Sequence, residues 1–268
     1  MIPVSIVIIT KNEAEVIADC IHAAKMITDD IIIVDNYSTD ETFNIARLLG
    51  CRIYQKNWDG YGANKNKGIG LAKYDWILSV DADEIADLEL VLSLHSLKLD
   101  NTGIVYDIKF KSYFGKKLIR HGNWGRDHHI RLFNRTVVKW SEANVHETLI
   151  LPGQMQIERL DGCMHHYSVK DSNECNNKAL YYAHLSAEKY LQAGKKVNPV
   201  KLYISPIFSF IKGYIVFLGF LDGKEGWSIA KITYKNKWLK YHYLNRLENN
   251  AKKKPYLKAN LTRLVIEN

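Results

Sequence analysis

The chain has little cysteine, and none of it is in a metal or disulfide spacing. Cys20, Cys51, Cys163 and Cys175 are the only four in 268 residues, and no Cys-x-x-Cys pair occurs. That pattern excludes a disulfide framework and a zinc-spaced cluster, and predicts reduced thiols in a cytoplasmic protein. A phosphate-cradling glycine loop is also missing, since "GIGLAK" (68–73) lacks its third glycine. No Ser-His-Asp nucleophile arrangement stands out. The first residues carry no basic region, long apolar stretch or cleavage site, so a signal peptide is not expected. No nucleic-acid-binding motif is present, and nucleic acid is not an expected partner.

What is present suits a globular enzyme. The composition is 47% hydrophobic and 25% charged, enough apolar material for a sizeable core. The net charge of +8 is unevenly placed. Residues 222–268 hold 11 Lys and Arg against 4 Asp and Glu, a net of +7, and the remainder is nearly neutral. A basic tail of this kind favours an anionic membrane surface.

Along the first third, strand and helix signals alternate. "VSIVIIT" (4–10) and "IIIVD" (31–35) are β-branched runs without polar alternation, as expected of strands covered on both faces. "CRIYQ" (51–55) and "DWILSVDAD" (75–83) predict two more strands. Helical spacing is read over 13–26, over the segment closing at Gly50, and over 61–73. The alternation predicts an α/β fold with a mostly parallel sheet flanked by helices. Ligands in such sheets bind beyond the carboxyl ends of the strands. The polar clusters fall there: "TKNE" after the first strand, "DNYSTDE" after the second, "DADE" at the end of the fourth.

Asp81 and Asp83 are spaced to share one face if the strand continues through them. Two adjacent carboxylates repel unless a cation joins them. A hard divalent ion, Mg2+ or Mn2+, prefers such oxygen ligands and often completes its shell with substrate phosphates. Local physics also offers Ser38–Glu41 and Thr10–Glu13 as helix-capping boxes. In "WGRDHHIRLFNR" (124–135), Arg131 is a candidate anion clamp, Trp124 a candidate sugar platform, and Asp127 a candidate carboxylate.

The ordered set "VSIVIITKNE", "IIIVDNYSTDET", "GANKNKGIGLAKYDWILSVDADE" and "VHE" resembles the inverting glycosyltransferases of family 2, with the GT-A fold. Within them the likeness is greatest to lipopolysaccharide core β-glucosyltransferases. "HYS" (166–168) and "FLDGKEGWSIA" (220–230) extend it into the tail. The resemblance implies a nucleotide-sugar site formed by Thr10, Glu13, Asp35, Lys65, Asn66, Asp81 and Arg131. Asp35 would bind the uridine, although Asp-Asn-Tyr-Ser stands here where many members read Asp-Asp-Gly-Ser. Asp83, Asp81 and His166 would hold Mg2+ or Mn2+. Glu147 would be the catalytic base, with Asp127 the other candidate.

The expected function is therefore hexose transfer, with glucose from UDP-glucose the leading donor, onto a lipid-anchored saccharide such as lipopolysaccharide inner core. Another surface glycan or a polyprenyl phosphate is the alternative acceptor. A sugar nucleotidyltransferase and a non-catalytic membrane-surface protein are rival readings from other classes. Residues 1–200 are expected to form the catalytic domain. Residues 201–268 are expected to form a helical, basic extension. From Tyr203 to Leu221 only Lys212 is charged, in a run broken by Pro206, Gly213 and Gly219. The expectation is a helix lying in the membrane interface, with the enzyme peripheral on the inner face of the cytoplasmic membrane.

Overall fold

The computed structural model describes residues 1–141 and 147–266, with side chains to residue 250. The chain divides into two compact units, Met1–Lys170 and Asp171–Asn268.

The first unit is an α/β sandwich. Its strands are β1 (Val4–Thr10), β2 (Asp30–Asp35), β3 (Arg52–Gln55), β4 (Trp76–Asp81), β5 (Glu84–Ala86), β6 (Ile104–Phe114), β7 (Lys117–Leu118), β8 (His128–Asn134), β9 (Lys139–Trp140), β10 (Leu149–Ile150) and β11 (Gln156–Val169). Its helices are α1 (Ile17–Ile27), α2 (Thr42–Leu48), α3 (Tyr61–Gly70) and α4 (Leu88–His95). Among the described residues, nine strands form one sheet in the order β3-β2-β1-β4-β8-β6-β11-β5, with β7 beside β6. The pairs from β3 to β4 are parallel. β8 then runs antiparallel to both β4 and β6. The expected fold class is present, and the antiparallel half adds to it.

The buried runs explain the centre. Every residue of β1 and β2 is buried, because helices cover both faces. One core cluster lies between the sheet and α1, α2 and α4, and contains Ile6, Ile8, Ile17, Ile21, Ile33 and Leu78. A second, on the other face, gathers Val7, Ile32, Ile69, Ile77, Phe133 and Trp140. At the entry ends of the strands, Asp30 is 2% exposed. It accepts from the Ser5 hydroxyl at 2.5 Å and the Lys73 N–H at 2.8 Å, and pairs with Arg52 at 2.5 Å. That one carboxylate ties β1, β2, β3 and the segment leading into β4.

Two local expectations fail. Neither capping box forms. Ser38 donates its hydroxyl to Asp35 and accepts the Asn12 N–H at 2.9 Å, while α2 starts at Thr42 with Asp40 accepting its N–H at 3.0 Å. Thr10 ends β1, and α1 begins only at Ile17. The fourth strand also stops at Asp81. Asp83 lies in the turn to β5, so a turn places it rather than the strand pleat.

The second unit holds α5 (Ser172–Gln192), α6 (Ser205–Ile211) and α7 (Gly223–Ile266). Asp171 caps α5, accepting from the N–H groups of Asn173 and Glu174. The division falls after Lys170 rather than after residue 200. The reason is that α5 packs along α7. Ala179, Ala183 and Ala187, one turn apart, are buried, and Asn236 donates to the Ala179 carbonyl at 3.2 Å. Val200–Val216 and Gly219–Asn250 meet at a 71° bend, with Leu218 in the left-handed region at φ 58°. No single helix among the described residues is long and apolar enough to cross a membrane.

Candidate active site

The carboxyl ends of β1, β2 and β4 place the polar clusters side by side, as Thr10 pairs with Asp35 and Ile9 with Asp81 in the ladders. The two loops beyond β1 and β2 are stitched together. Asn12 Oδ1 accepts the Thr39 N–H at 2.8 Å, and both Asn12 and Tyr37 sit at positive φ. Glu13 joins the same seam, its N–H donating to Thr42 Oγ1 at 2.8 Å. Asp35 is fully buried. Its carboxylate accepts from the Ser38 N–H at 3.2 Å, the Ser38 hydroxyl, and Gln55 Nε2 at 3.1 Å. Asn36 is committed to scaffolding, donating to Asn64 Oδ1 at 2.9 Å and the Lys56 carbonyl at 3.1 Å.

At the end of β4 the charges converge. Lys65, carried on α3, is 1% exposed. Its ammonium is 3.2 Å from Asp81 and 2.9 Å from Glu147, with the Trp140 ring 4.5 Å away. A Cβ on Gly62 would lie 1.9 Å from the Ser141 carbonyl oxygen, so the absence of a side chain there lets α3 approach this wall. Arg131, on β8, is 3.2 Å from Asp81 and also pairs with Glu84. Its guanidinium lies over Phe110 at 5.3 Å. Glu84 Oε2 accepts the Asp81 N–H at 2.9 Å. The third carboxylate of "DADE" therefore turns inward, holding both Asp81 and Arg131. Glu84 was not singled out from the sequence; its place three residues after Asp81, opening a new strand, was the only signal.

The electrostatics follow from this crowding. Burial alone would raise Asp81, but Lys65 and Arg131 hold its carboxyl well below the usual carboxylate range. Burial pushes Glu84 up, to about 7, against the pull of Arg131 and with Asp81 adding repulsion. His166 is 3.4 Å from Asp83. Burial disfavours its charge, yet Asp83, Glu84 and Asp81 raise it to about 9.

Asp81, Asp83 and Glu147 face Lys65, Arg131 and protonated His166, with Glu84, raised to about 7, poised between charged and neutral. Among the described residues, Arg131 Nε and Trp140 Nε1 in this network are buried without a hydrogen-bond partner, whereas Asp81 Oδ1 has the Lys65 ammonium 3.2 Å away. Buried polar atoms are normally satisfied, so these two are open to a polar ligand.

Other candidates fall around this centre. Asp127 pairs with His129 at 3.1 Å. Burial raises its pKa, but His129, His166 and Arg131 outweigh that and lower it. Trp124 is half-buried, tilted against Phe114 at 6.2 Å. Thr10 is buried, with its hydroxyl unpartnered. Asn66 differs from its expected role of facing the nucleotide. Its amide donates to the Trp140 carbonyl at 2.9 Å and accepts the Trp140 N–H at 3.1 Å, which sets the ring beside Lys65. Of the "VHE" motif, Val145 and His146 lie outside the described residues, and Glu147 is the described member.

Comparison with known proteins identifies the family. An uncharacterized glycosyltransferase of Rickettsia felis is 30% identical over 237 residues, covering 83% of this chain and 82% of that one. The lipopolysaccharide core biosynthesis glycosyltransferase LpsC of Rhizobium meliloti is 26% identical over 224 residues, covering 80% and 81%. Among solved structures, S. aureus TarS aligns over 93% of this chain and 92% of its own at 13% identity, with a TM-score of 0.46. Glucosyl-3-phosphoglycerate synthase of Mycobacterium tuberculosis, bound to Mn2+ and UDP-glucose, aligns over 41% and 43% at 23% identity, with a TM-score of 0.35. The profile of glycosyl transferase family 2 matches residues 5–148, more than half of the sequence, and the chain belongs to that family.

Proposed function

We propose that this glycosyltransferase is an inverting, divalent-metal-dependent hexosyltransferase that uses a UDP-sugar, with UDP-glucose the leading donor, and a lipid-anchored saccharide acceptor. The observation that carries the proposal is the convergence of Asp81, Asp83, Lys65, Arg131, His166 and Glu147 at the end of β4. The donor types suit a hard cation: Asp81 and Asp83 offer oxygens and His166, 3.4 Å from Asp83, a nitrogen. Their ligating atoms do not all lie within 4.8 Å of one another, so the three side chains would draw together around the ion. Held there, the cation would neutralise the charge that develops on the departing diphosphate.

The chain's own groups do the rest. Asp35, which the resemblance assigns to the base of the nucleotide, is fully buried and holds Ser38 and Gln55, so it would act by shaping the loop beyond β2 that meets the base. Lys65 and Arg131, both buried, place positive charge where the diphosphate leaves, in surroundings that screen it little. Glu147 takes the proton of the acceptor hydroxyl as that oxygen attacks the anomeric carbon from the opposite side, which inverts the configuration. Glu84 touches no reacting atom in this scheme; it orients Asp81 and Arg131.

The likeness to LpsC supports a lipopolysaccharide-core-type acceptor. The second unit supports attachment to a membrane surface. Around its bend it exposes Tyr203, Ile204, Ile207, Phe208, Ile215 and Val216, each at 50% or more, and a strongly basic tail follows. Calorimetry with UDP, with and without Mn2+, tests the core of the proposal. Metal-dependent UDP binding is expected in the parent and lost in Asp83→Ala; binding unchanged in that variant would reject the metal assignment. Incubating glycolipid extracts with single nucleotide sugars and reading mass shifts would identify donor and acceptor.

A further inference from the structure

A second convergence of donor atoms lies at the start of α4, outside the cluster at the end of β4. Asp87, Cys163 and His165 each direct one atom to a common point, and the three atoms lie within 4.8 Å of one another. Cys163 Sγ is 2.7 Å from Asp87 Oδ2 and 4.0 Å from His165 Nε2. Cys163 and His165 are two apart on β11 and so share a face. A bulge in β11 makes the approach possible. Gly162 sits at φ +84°, and a Cβ there would fall 2.1 Å from the Leu90 nitrogen. The sequence alone gave no metal spacing, because the carboxylate is 76 residues away from the thiol.

The outer atoms of the ligands are already engaged. Asp87 Oδ1 caps α4, accepting the N–H groups of Leu90 at 2.9 Å and Cys163 at 3.1 Å, which leaves Oδ2 as the inward oxygen. His165 Nδ1 meets the Tyr113 hydroxyl at 2.9 Å, which leaves Nε2 turned to the thiol. Metal-binding carboxylates and imidazoles are held in this way, with the far atom fixed by a hydrogen bond and the near atom free. Cys163 is 2% exposed, whereas Asp87 and His165 are part-exposed, so the point is reachable from solvent.

We infer that Asp87, Cys163 and His165 form a binding site for Zn2+ or a similar borderline ion, separate from the oxygen-rich site proposed at Asp81 and Asp83. A thiolate, an imidazole and one carboxylate oxygen suit tetrahedral Zn2+ with water in the fourth place. Mn2+ and Mg2+ favour the carboxylates at the end of β4 instead. Binding replaces the Cys163 thiol proton, now shared with Asp87, and releases it to solvent. The Asp87–Cys163 separation must open somewhat to admit the ion. Lys111, 40% exposed, is 4.0 Å from Asp87 Oδ2, so its ammonium competes with the metal. Once bound, the ion would clamp β11 to the first turn of α4. His166, next to His165, faces Glu84 across the β5–β11 ladder, so the clamp would steady the strand that presents His166 to Asp83.

Cobalt provides the test, because only a thiolate ligand gives Co2+ its near-ultraviolet charge-transfer band, and no thiol lies among the ligands proposed at the end of β4. The full chain carrying Asp83→Ala is titrated with Co2+ and then with Zn2+. The expected result is a thiolate band that Zn2+ abolishes, that is absent in Cys163→Ser, and that persists in Cys175→Ser. Tyr113→Phe should weaken Co2+ about 10-fold by freeing the His165 ring, and Lys111→Met should tighten it. Asp87→Asn keeps the helix cap but loses the anionic oxygen, and should also weaken binding; its circular dichroism and melting temperature, taken without metal, separate lost binding from lost folding. No thiolate band in the parent, or a band unchanged in Cys163→Ser, would overturn the inference.

Discussion

Asp30 and Asp81 are both carboxylates held in the same sheet, at opposite ends of the two strands that flank β1. Asp30 is closed on every side by a hydroxyl, a backbone N–H and a guanidinium. Asp81 has two cations beside it and two further carboxylates within its own turn, and 30% of its side chain stays exposed against 3% for Asp30. What separates a structural acid from a site acid here is whether it can still be reached. Asp30 ties strands together; Asp81 stays open to something not in the chain.

The contrast can be broken at four points. The largest effect is expected at Glu147, which shares Lys65 with Asp81. Glu147→Gln keeps the shape but cannot take a proton, so turnover should fall about 10²–10⁴-fold with UDP-sugar binding retained. If Asp127→Asn loses activity and Glu147→Gln does not, Asp127 is the base.

Next, Asp30→Asn should cost about 3 kcal/mol of stability, because Arg52 loses its partner and the Ser5 and Lys73 donors meet a weaker acceptor. The folded fraction should still bind UDP. Asp81→Asn should shift stability by less than about 1 kcal/mol, since removing one of four carboxylates relieves repulsion while Lys65 keeps Glu147 and Arg131 keeps Glu84. Chemical denaturation reads both, and equal losses would erase the distinction.

The third concerns His166. Its folded-state pKa is raised to about 9, so the Asp83 pair stabilises fully below the ordinary value of 6.5 and is lost as pH rises through about 9. A metal at Asp83 and His166 needs the neutral ring. Binding of Mn2+ with UDP near pH 7.5 should therefore release close to one proton from His166, measured by calorimetry in buffers of differing ionisation heat. Asp83 and His166 would not share a metal if no proton is released.

The smallest effect is expected in the second unit. Phe208→Ser with Ile207→Ser should reduce flotation with anionic vesicles and leave UDP binding unchanged. Flotation equal to the parent in 1 M salt would place attachment elsewhere.

Much of this was legible along the chain because buried parallel strands announce themselves. β1 and β2 are buried apolar runs, and each ends beside the polar residues of the candidate site. The antiparallel half was not legible. β6 carries Asp107, Lys109 and Lys111 within its eleven residues, and β11 reads as a polar segment with a glycine bulge. Both capping boxes were locally sound, but Ser38 serves Asp35 and Asn12 rather than a helix, and Thr10 ends β1 well before α1 begins at Ile17. Spacing and resemblance singled out Asp83 and His166, which the fold brings to 3.4 Å of each other. Glu84 could not be read in this way, because its role depends on Arg131, 47 residues away and on another strand.

The clasp between Asn66 and Trp140 bears on the order in which the protein assembles. It joins residues 74 apart, and the neighbouring Lys65–Glu147 contact joins residues 82 apart. Closing loops of that length is slow relative to pairing β1 with β2 or forming a helix, so the wall beside Lys65 should set after the parallel sheet does. The Trp140 N–H, whose acceptor is the Asn66 side chain, is a natural reporter of that step. In pulse-labelling during refolding, its amide should become protected later than those of Ile8 and Ile33. Protection at the same time would mean that this wall and the sheet form as one unit.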